Sequence, residues 1–169
     1  MVYVYSLSSP SLPPLPFVSS CFISNALVRE LILQAERWSP QETGGVLLGV
    51  ADDTNVWVEE VVGPGPNALH GKSRFVPDAV YQEEQIAAAY ARSGRRSSYL
   101  GDWHTHPGQS VLMSRRDRRT LRSIARWQPS RQPRPVMAIL GGAGEWKMIV
   151  WRYRRLPMRR CGTATSSKH

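Results

Sequence analysis

The sequence predicts an α+β protein, an α/β sandwich in which helices pack on a curved, mostly antiparallel sheet. Three observations predict it. Segments with helical and with strand-like apolar spacing alternate along the chain, which is the primary sign of mixed structure. Two pairs of strand-like runs are separated by short turn sequences, Asp52-Asp53-Thr54-Asn55 and Gly141-Gly142-Ala143-Gly144, the mark of hairpins. A chain of 169 residues with 41% hydrophobic content buries one good core and rarely two, so one domain is expected.

Residues 1–16 are rich in Ser and Pro behind an alternating Val2-Tyr3-Val4-Tyr5 start. They read as an extension that adds at most one edge strand, or as the product of a misplaced start codon. Phe17, Val18, Phe22 and Ile23 give a strand. Ser24 or Asn25 then caps a helix over residues 26–38, with Leu27, Leu31 and Ala35 on one face, and Ser39-Pro40 stops it. Residues 42–50 and 55–62 form the first hairpin. Gly63-Pro64-Gly65-Pro66 opens an irregular stretch, and residues 67–78, with His70, Arg74 and Phe75, read as a surface connector. Pro77-Asp78 starts a second helix over residues 79–93, ended at Gly94. A short strand over residues 98–103 runs into His104-Thr105-His106-Pro107. A loop follows, Ser114 starts a third helix that reaches about Trp127, and residues 135–140 pair with 146–153 as the second hairpin. The core domain is expected over residues 17–153, and residues 154–169 read as a basic, disordered tail.

The net charge of +9 is unevenly spread: residues 1–102 hold 7 basic and 11 acidic side chains, residues 103–169 hold 15 and 2. All but Lys72, Lys147 and Lys168 of the basic residues are Arg. No run approaches the roughly 18 apolar residues a spanning helix needs, so no membrane association is expected. Cys21 and Cys161 lie far apart without a Cys-x-x-Cys pair, which excludes a Cys-rich zinc module and suits a reducing cytoplasm. Val18-Ser19-Ser20-Cys21 has the outline of a lipoprotein cleavage box, but Pro10, Pro13, Pro14 and Pro16 break the preceding apolar stretch, and no basic residue precedes Arg29.

His104 and His106 are one residue apart at a strand end, and strand side chains alternate, so both imidazoles project to one side. A lone His-x-His arises often by chance. Pro107 and Gly108 end the strand directly behind the pair and should leave both rings at an open rim. Asp117 falls in the first turn of the next helix, where its carboxylate can complete a His2Asp set and leave a fourth position for water, as catalytic zinc sites do. Glu42 precedes Thr43-Gly44-Gly45 and an apolar run, and reads equally as a base with a polar partner or as a solvated strand-end carboxylate. Ser114 and Asp117 have the spacing of a capping box, and a helix start of that kind also pins a hydroxyl and a carboxylate side by side at the rim.

Glu42, His104-x-His106-Pro107, Ser114 and Asp117 together resemble the JAMM motif of the JAB/MPN metalloproteases. Glu42-Thr43-Gly44-Gly45-Val46-Leu47-Leu48-Gly49 and Gly101-Asp102-Trp103-His104-Thr105-His106-Pro107 are similar to members of its prokaryotic branch. The resemblance spans about residues 17–153 and implies the JAB/MPN, cytidine deaminase-like fold. It also implies a zinc-dependent hydrolase that cleaves peptide or isopeptide bonds after the C-terminal glycine of a ubiquitin-like protein. By position, His104, His106 and Asp117 would hold Zn2+, Glu42 would act as general base and then acid, and Ser114 would help bind the oxyanion. Among prokaryotic relatives, the Gly63–Asp78 region looks more like enzymes of antiphage operons, which carry ubiquitin-like proteins with E1-like and E2-like partners, than like proteases that process sulfur-carrier proteins. Only short loops surround the site.

Two other readings compete. Arg115, Arg116, Arg118, Arg119, Arg122, Arg126, Arg131 and Arg134 crowd one segment, as in a nucleic-acid-binding module, and DNA-repair-linked JAB relatives offer a family parallel. A solvated face is the commoner fate of such a run, so only weak, nonspecific affinity is expected. A noncatalytic scaffold is the third reading, against which the complete ligand set argues. His70 and His169 read as loop and tail residues, and Cys21 as a small core residue.

Overall fold

The computed structural model describes residues 2–4, 20–142, 144–153 and 159–164. Among the described residues, ten strands and three α-helices follow one another, with a 3-10 turn at Gln128–Ser130, as β1 (Val2–Val4), β2 (Ser20–Ser24), α1 (Asn25–Trp38), β3 (Gly44–Ala51), β4 (Asn55–Val62), β5 (Leu69–His70), β6 (Phe75–Val76), α2 (Ala79–Arg92), β7 (Ser98–Pro107), α3 (Arg115–Arg126), β8 (Val136–Gly142), β9 (Lys147–Arg152) and β10 (Arg159–Ala164). Eight strands make one sheet in the order β1-β2-β4-β3-β7-β8-β9-β10, and β5 and β6 form a separate pair. The β2–β4 and β7–β8 pairings are parallel and the other five in the large sheet antiparallel, so the sheet is mixed and, as expected, mostly antiparallel.

Strand alternation divides the side chains between two faces. On one face α1 packs Leu31 and Ala35 over Leu47, Val56, Trp103, Ala138 and Leu140. On the other, α2 brings Ala89 and Ile86 onto Val46, Leu48 and Val62, and α3 brings Leu121 onto Met137 and Ile139. Trp103 and Thr105 are buried, while their neighbours His104 and His106 share a cleft with Asp117 at the start of α3. All three helices have side-chain caps, from Ser24 to Leu27 N, from Asp78 to Tyr81 N and from Ser114 to Asp117 N, each satisfying an amide that no helical carbonyl can reach.

Three local expectations change. First, β7 does not end at Trp103: it continues to Pro107, because β8 runs parallel alongside and pairs every residue from Gly101 to Pro107. His104 and His106 therefore stand on the face of a paired strand and not at a free rim. Second, the connector after Pro66 contains the β5–β6 hairpin, with Leu69 opposite Val76 and His70 opposite Phe75. Third, residues 159–164 are a strand on β9 where a disordered tail is expected; β9 would otherwise offer an unpaired edge. Val2–Val4 is the anticipated edge strand, antiparallel to β2. Phe17, Val18 and His169 lie outside the described residues.

Candidate metal centre and its cleft

The Nε2 atoms of His104 and His106 lie 3.1 Å apart, with their rings inclined at 61°. His106 Nδ1 is 3.1 Å from the Ser110 carbonyl. A carbonyl only accepts, so Nδ1 carries the proton and the lone pair of Nε2 faces His104. Asp117 completes the group: its Oδ1 is 3.4 Å from His104 Nε2 and its Oδ2 is 3.5 Å from His106 Nε2. Each residue contributes one donor atom to a cluster within 4.8 Å, the one such group of three among the described residues.

Those separations test whether a metal fits. Tetrahedral bonds of about 2.0–2.1 Å place adjacent donor atoms about 3.3 Å apart; the 3.1 Å between the imidazole nitrogens and the 3.4 Å from His104 Nε2 to Asp117 Oδ1 lie close to that value, while His106 Nε2 has its 3.5 Å contact with the other carboxylate oxygen, Oδ2. Two imidazole nitrogens and one carboxylate oxygen are also a donor set that suits zinc. The donor set is compatible with a divalent metal ion.

Asp117 owes its position to the capping box. Ser114 Oγ accepts from Asp117 N at 3.1 Å and Asp117 Oδ2 accepts from Ser114 N at 2.7 Å, which locks the carboxylate at the positive end of α3. Burial raises its pKa, but hydrogen bonding with His104, the charge of His104 and the Ser114 contacts outweigh burial and hold it below the ordinary carboxylate value. Ser114 Oγ spends a lone pair on that cap and keeps its hydroxyl hydrogen for another acceptor.

Glu42, His104, His106, Ser114 and Asp117 line one cavity of about 480 Å³, so the structure brings together all five residues singled out from the sequence. Burial pushes the Glu42 carboxyl above its ordinary pKa, against the lowering influence of His106 and His104. Glu42 sits two residues before β3, and Thr43 ties that segment to β7: Thr43 N donates to Thr105 Oγ1 at 2.9 Å and Thr105 N donates to the Thr43 carbonyl at 2.8 Å. Gly44 has to be glycine for space, since a Cβ there would lie 2.5 Å from the Trp103 carbonyl and 3.0 Å from both His104 Cβ and Phe75.

Sequence reasoning missed two groups. Asp102 lines the same cavity and accepts from Tyr99 Oη at 2.6 Å; burial raises its pKa although the Tyr99 bond and His104 lower it. Alternation along β7 was the available signal, because Asp102, His104 and His106 share one parity. The β5–β6 hairpin is the other, with Ser73, Phe75 and Pro77 in the cavity wall. Its signal was two apolar-flanked pairs, Leu69-His70 and Phe75-Val76, about a four-residue turn containing Gly71.

The model of a family described as prokaryotic homologs of the JAB domain matches residues 24–154. The chain belongs to that family. Among JAB relatives, the "Probable metalloprotease y4qB" of Sinorhizobium fredii is 40% identical over 77% of this chain and 81% of its own length. A "CD-NTase/cGAS isopeptidase" of Enterobacter hormaechei is 30% identical over 75% of this chain and 71% of its own. The solution structure of DSY2949 from Desulfitobacterium hafniense superposes with a TM-score of 0.62 at 19% identity, covering 81% of this chain and 86% of that one, which supports the shared α+β fold. The JAB family is one of hydrolases, of metalloprotease and isopeptidase type, and the protein is an enzyme of that class. No helix among the described residues is long and apolar enough to cross a membrane.

Proposed function

We propose that the protein is a zinc-dependent hydrolase that cleaves a peptide or isopeptide bond after the C-terminal glycine of a ubiquitin-like protein, in a bacterial conjugation system of antiphage defence. The observation that carries the proposal is the convergence of His104, His106 and Asp117 donor atoms beside Glu42 in one cleft. The isopeptidase names of the relatives support a protein substrate; E1-like and E2-like partners and a cytoplasmic location are part of the proposal. Phe75, Pro77 and Leu112 line the cleft beside the donor cluster, apolar contacts that would suit an extended tail whose last residues are glycine.

His104, His106 and Asp117 would hold the zinc ion. When bound, zinc supplies Lewis acidity, polarising a carbonyl oxygen and acidifying water. Glu42, half-buried and raised in pKa, takes the proton from the attacking water and returns it to the leaving amine, so that the amine departs neutral. Ser114 donates its remaining hydroxyl hydrogen to the oxygen on which negative charge develops. Asp102 lines the same cavity and is held by the Tyr99 hydroxyl.

The test is a ubiquitin-like protein fused through its terminal glycine to a second protein, offered to metal-stripped and zinc-reloaded enzyme. Cleavage after the glycine only when zinc is restored is expected, and cleavage that persists in full after chelation would overturn the reading. A sulfur-carrier fusion run in parallel separates biosynthetic processing from conjugation.

A further inference from the structure

The backbone of Glu42 is held at both polar groups by the β5–β6 hairpin. Its N–H donates to the Gly71 carbonyl at 2.8 Å, and its carbonyl lies 3.0 Å from His70 Nδ1. The His70 ring is fixed in turn: it stacks on Trp38 with centroids 3.4 Å apart and planes inclined by 7°, and Phe75 meets it at 5.4 Å. Since a carbonyl cannot donate, the contact requires the proton on Nδ1. Nε2 is then the bare nitrogen, and it is buried with no hydrogen-bond partner. A lone pair without a donor is a smaller loss than a buried N–H without an acceptor would be, so the burial of Nε2 agrees with the same tautomer.

We propose that His70 is a positioning residue for Glu42: through Nδ1–H it fixes the Glu42 carbonyl and thereby the direction in which the Glu42 carboxylate enters the cleft. The assignment rests on the reading of Glu42 as the proton carrier. Glu42 precedes β3, where no ladder bonds constrain it, so without His70 and Gly71 its φ and ψ would be set by Thr43 alone. The hairpin that supplies this clamp also presents Ser73 and Phe75 to the cavity, so one small element both walls the cleft and holds the residue that works in it. His70 touches neither the donor cluster nor the cavity; it acts only through the Glu42 main chain.

Two substitutions separate the hydrogen bond from the stacking. His70→Phe keeps a ring against Trp38 and loses the donor; His70→Asn loses the ring and keeps an N–H at similar reach. With a fluorogenic peptide amide ending in Gly-Gly as the probe, His70→Phe is expected to lower kcat about 10- to 100-fold at unchanged KM and zinc content, the size of effect that sub-ångström misplacement produces. His70→Asn should recover a large part of that loss. In a Glu42→Gln background the His70→Phe change should cost nothing further, since the group being aimed is gone. Imidazole 15N shifts should place the proton of wild-type His70 on Nδ1, and His70→Phe should speed amide exchange at Glu42 and Thr43. A wild-type kcat in His70→Phe, an equal loss in the Glu42→Gln background, or a proton on Nε2 would each overturn the assignment. If zinc-loaded wild type left the probe and the glycine-terminated fusion intact, the hydrolase reading would fall, while the tautomer and the amide exchange would still decide whether His70 holds this backbone.

Discussion

In the proposed centre His104, His106 and Asp117 would share the holding of a cation, and none would be dispensable. Three protein ligands cannot lose one and keep tight binding, so His104→Ala, His106→Ala and Asp117→Ala should each abolish stoichiometric zinc, measured by metal analysis after dialysis. About one zinc per wild-type chain is expected, and full occupancy in the His104→Ala, His106→Ala double variant would contradict the site. Asp102 makes a different prediction. Burial raises its pKa, against the lowering influence of the Tyr99 bond, so Tyr99→Phe should leave the buried carboxyl without its donor and cost about 1–3 kcal/mol. Because the folded pKa is above the unfolded one, the ionised form is what the fold disfavours, and the loss should shrink as the pH falls through that pKa. Denaturant melts of metal-free protein at neutral and at acid pH measure this. At this scale the five motif residues were legible because their chemistry is tied to fixed spacings. His70 was not, since its role depends on Glu42 and Trp38, 28 and 32 positions earlier, meeting it in space.

Helix α3 links packing to the site. Its only acidic residue, Asp117, turns into the cleft, and Leu121, one turn further on, is fully buried on Met137 and Ile139. Leu121→Ala should therefore cost about 2–5 kcal/mol and weaken zinc binding as well, because the helix that loses its anchor carries Asp117; thermal melts with and without zinc read both effects. The helices and the β3–β4 and β8–β9 hairpins were legible from period, turns and caps, since Ser24, Asp78 and Ser114 all announce helix starts. The length of β7 was not, because a proline reads as a stop unless a parallel neighbour is known to accompany the strand to its end. The β10 strand was hidden for a similar reason: its partner β9 supplies the order that its own basic sequence does not suggest.

Across the whole molecule, charge is segregated as the chain is. Arg115, Arg116, Arg118, Arg119, Arg122 and Arg126 are all exposed on α3, and among the described residues none of them forms a salt bridge. Such a face should give weak, sequence-independent binding to nucleic acid that falls steeply with salt, and a filter-binding titration at two ionic strengths checks it; nanomolar, zinc-independent affinity for one defined DNA site would mean that the face has a recognition task of its own. The account stands or falls, however, on Glu42, the residue that separates a hydrolase from a protein that merely holds zinc. The decisive measurement compares wild type and Glu42→Gln, both zinc-loaded, on a ubiquitin-like fusion joined through its terminal glycine. The glutamine variant should keep its zinc and its fold and cleave at least about a thousandfold more slowly, as expected for a group that serves as base and then acid. Cleavage by Glu42→Gln at close to the wild-type rate, with zinc in place, would contradict it.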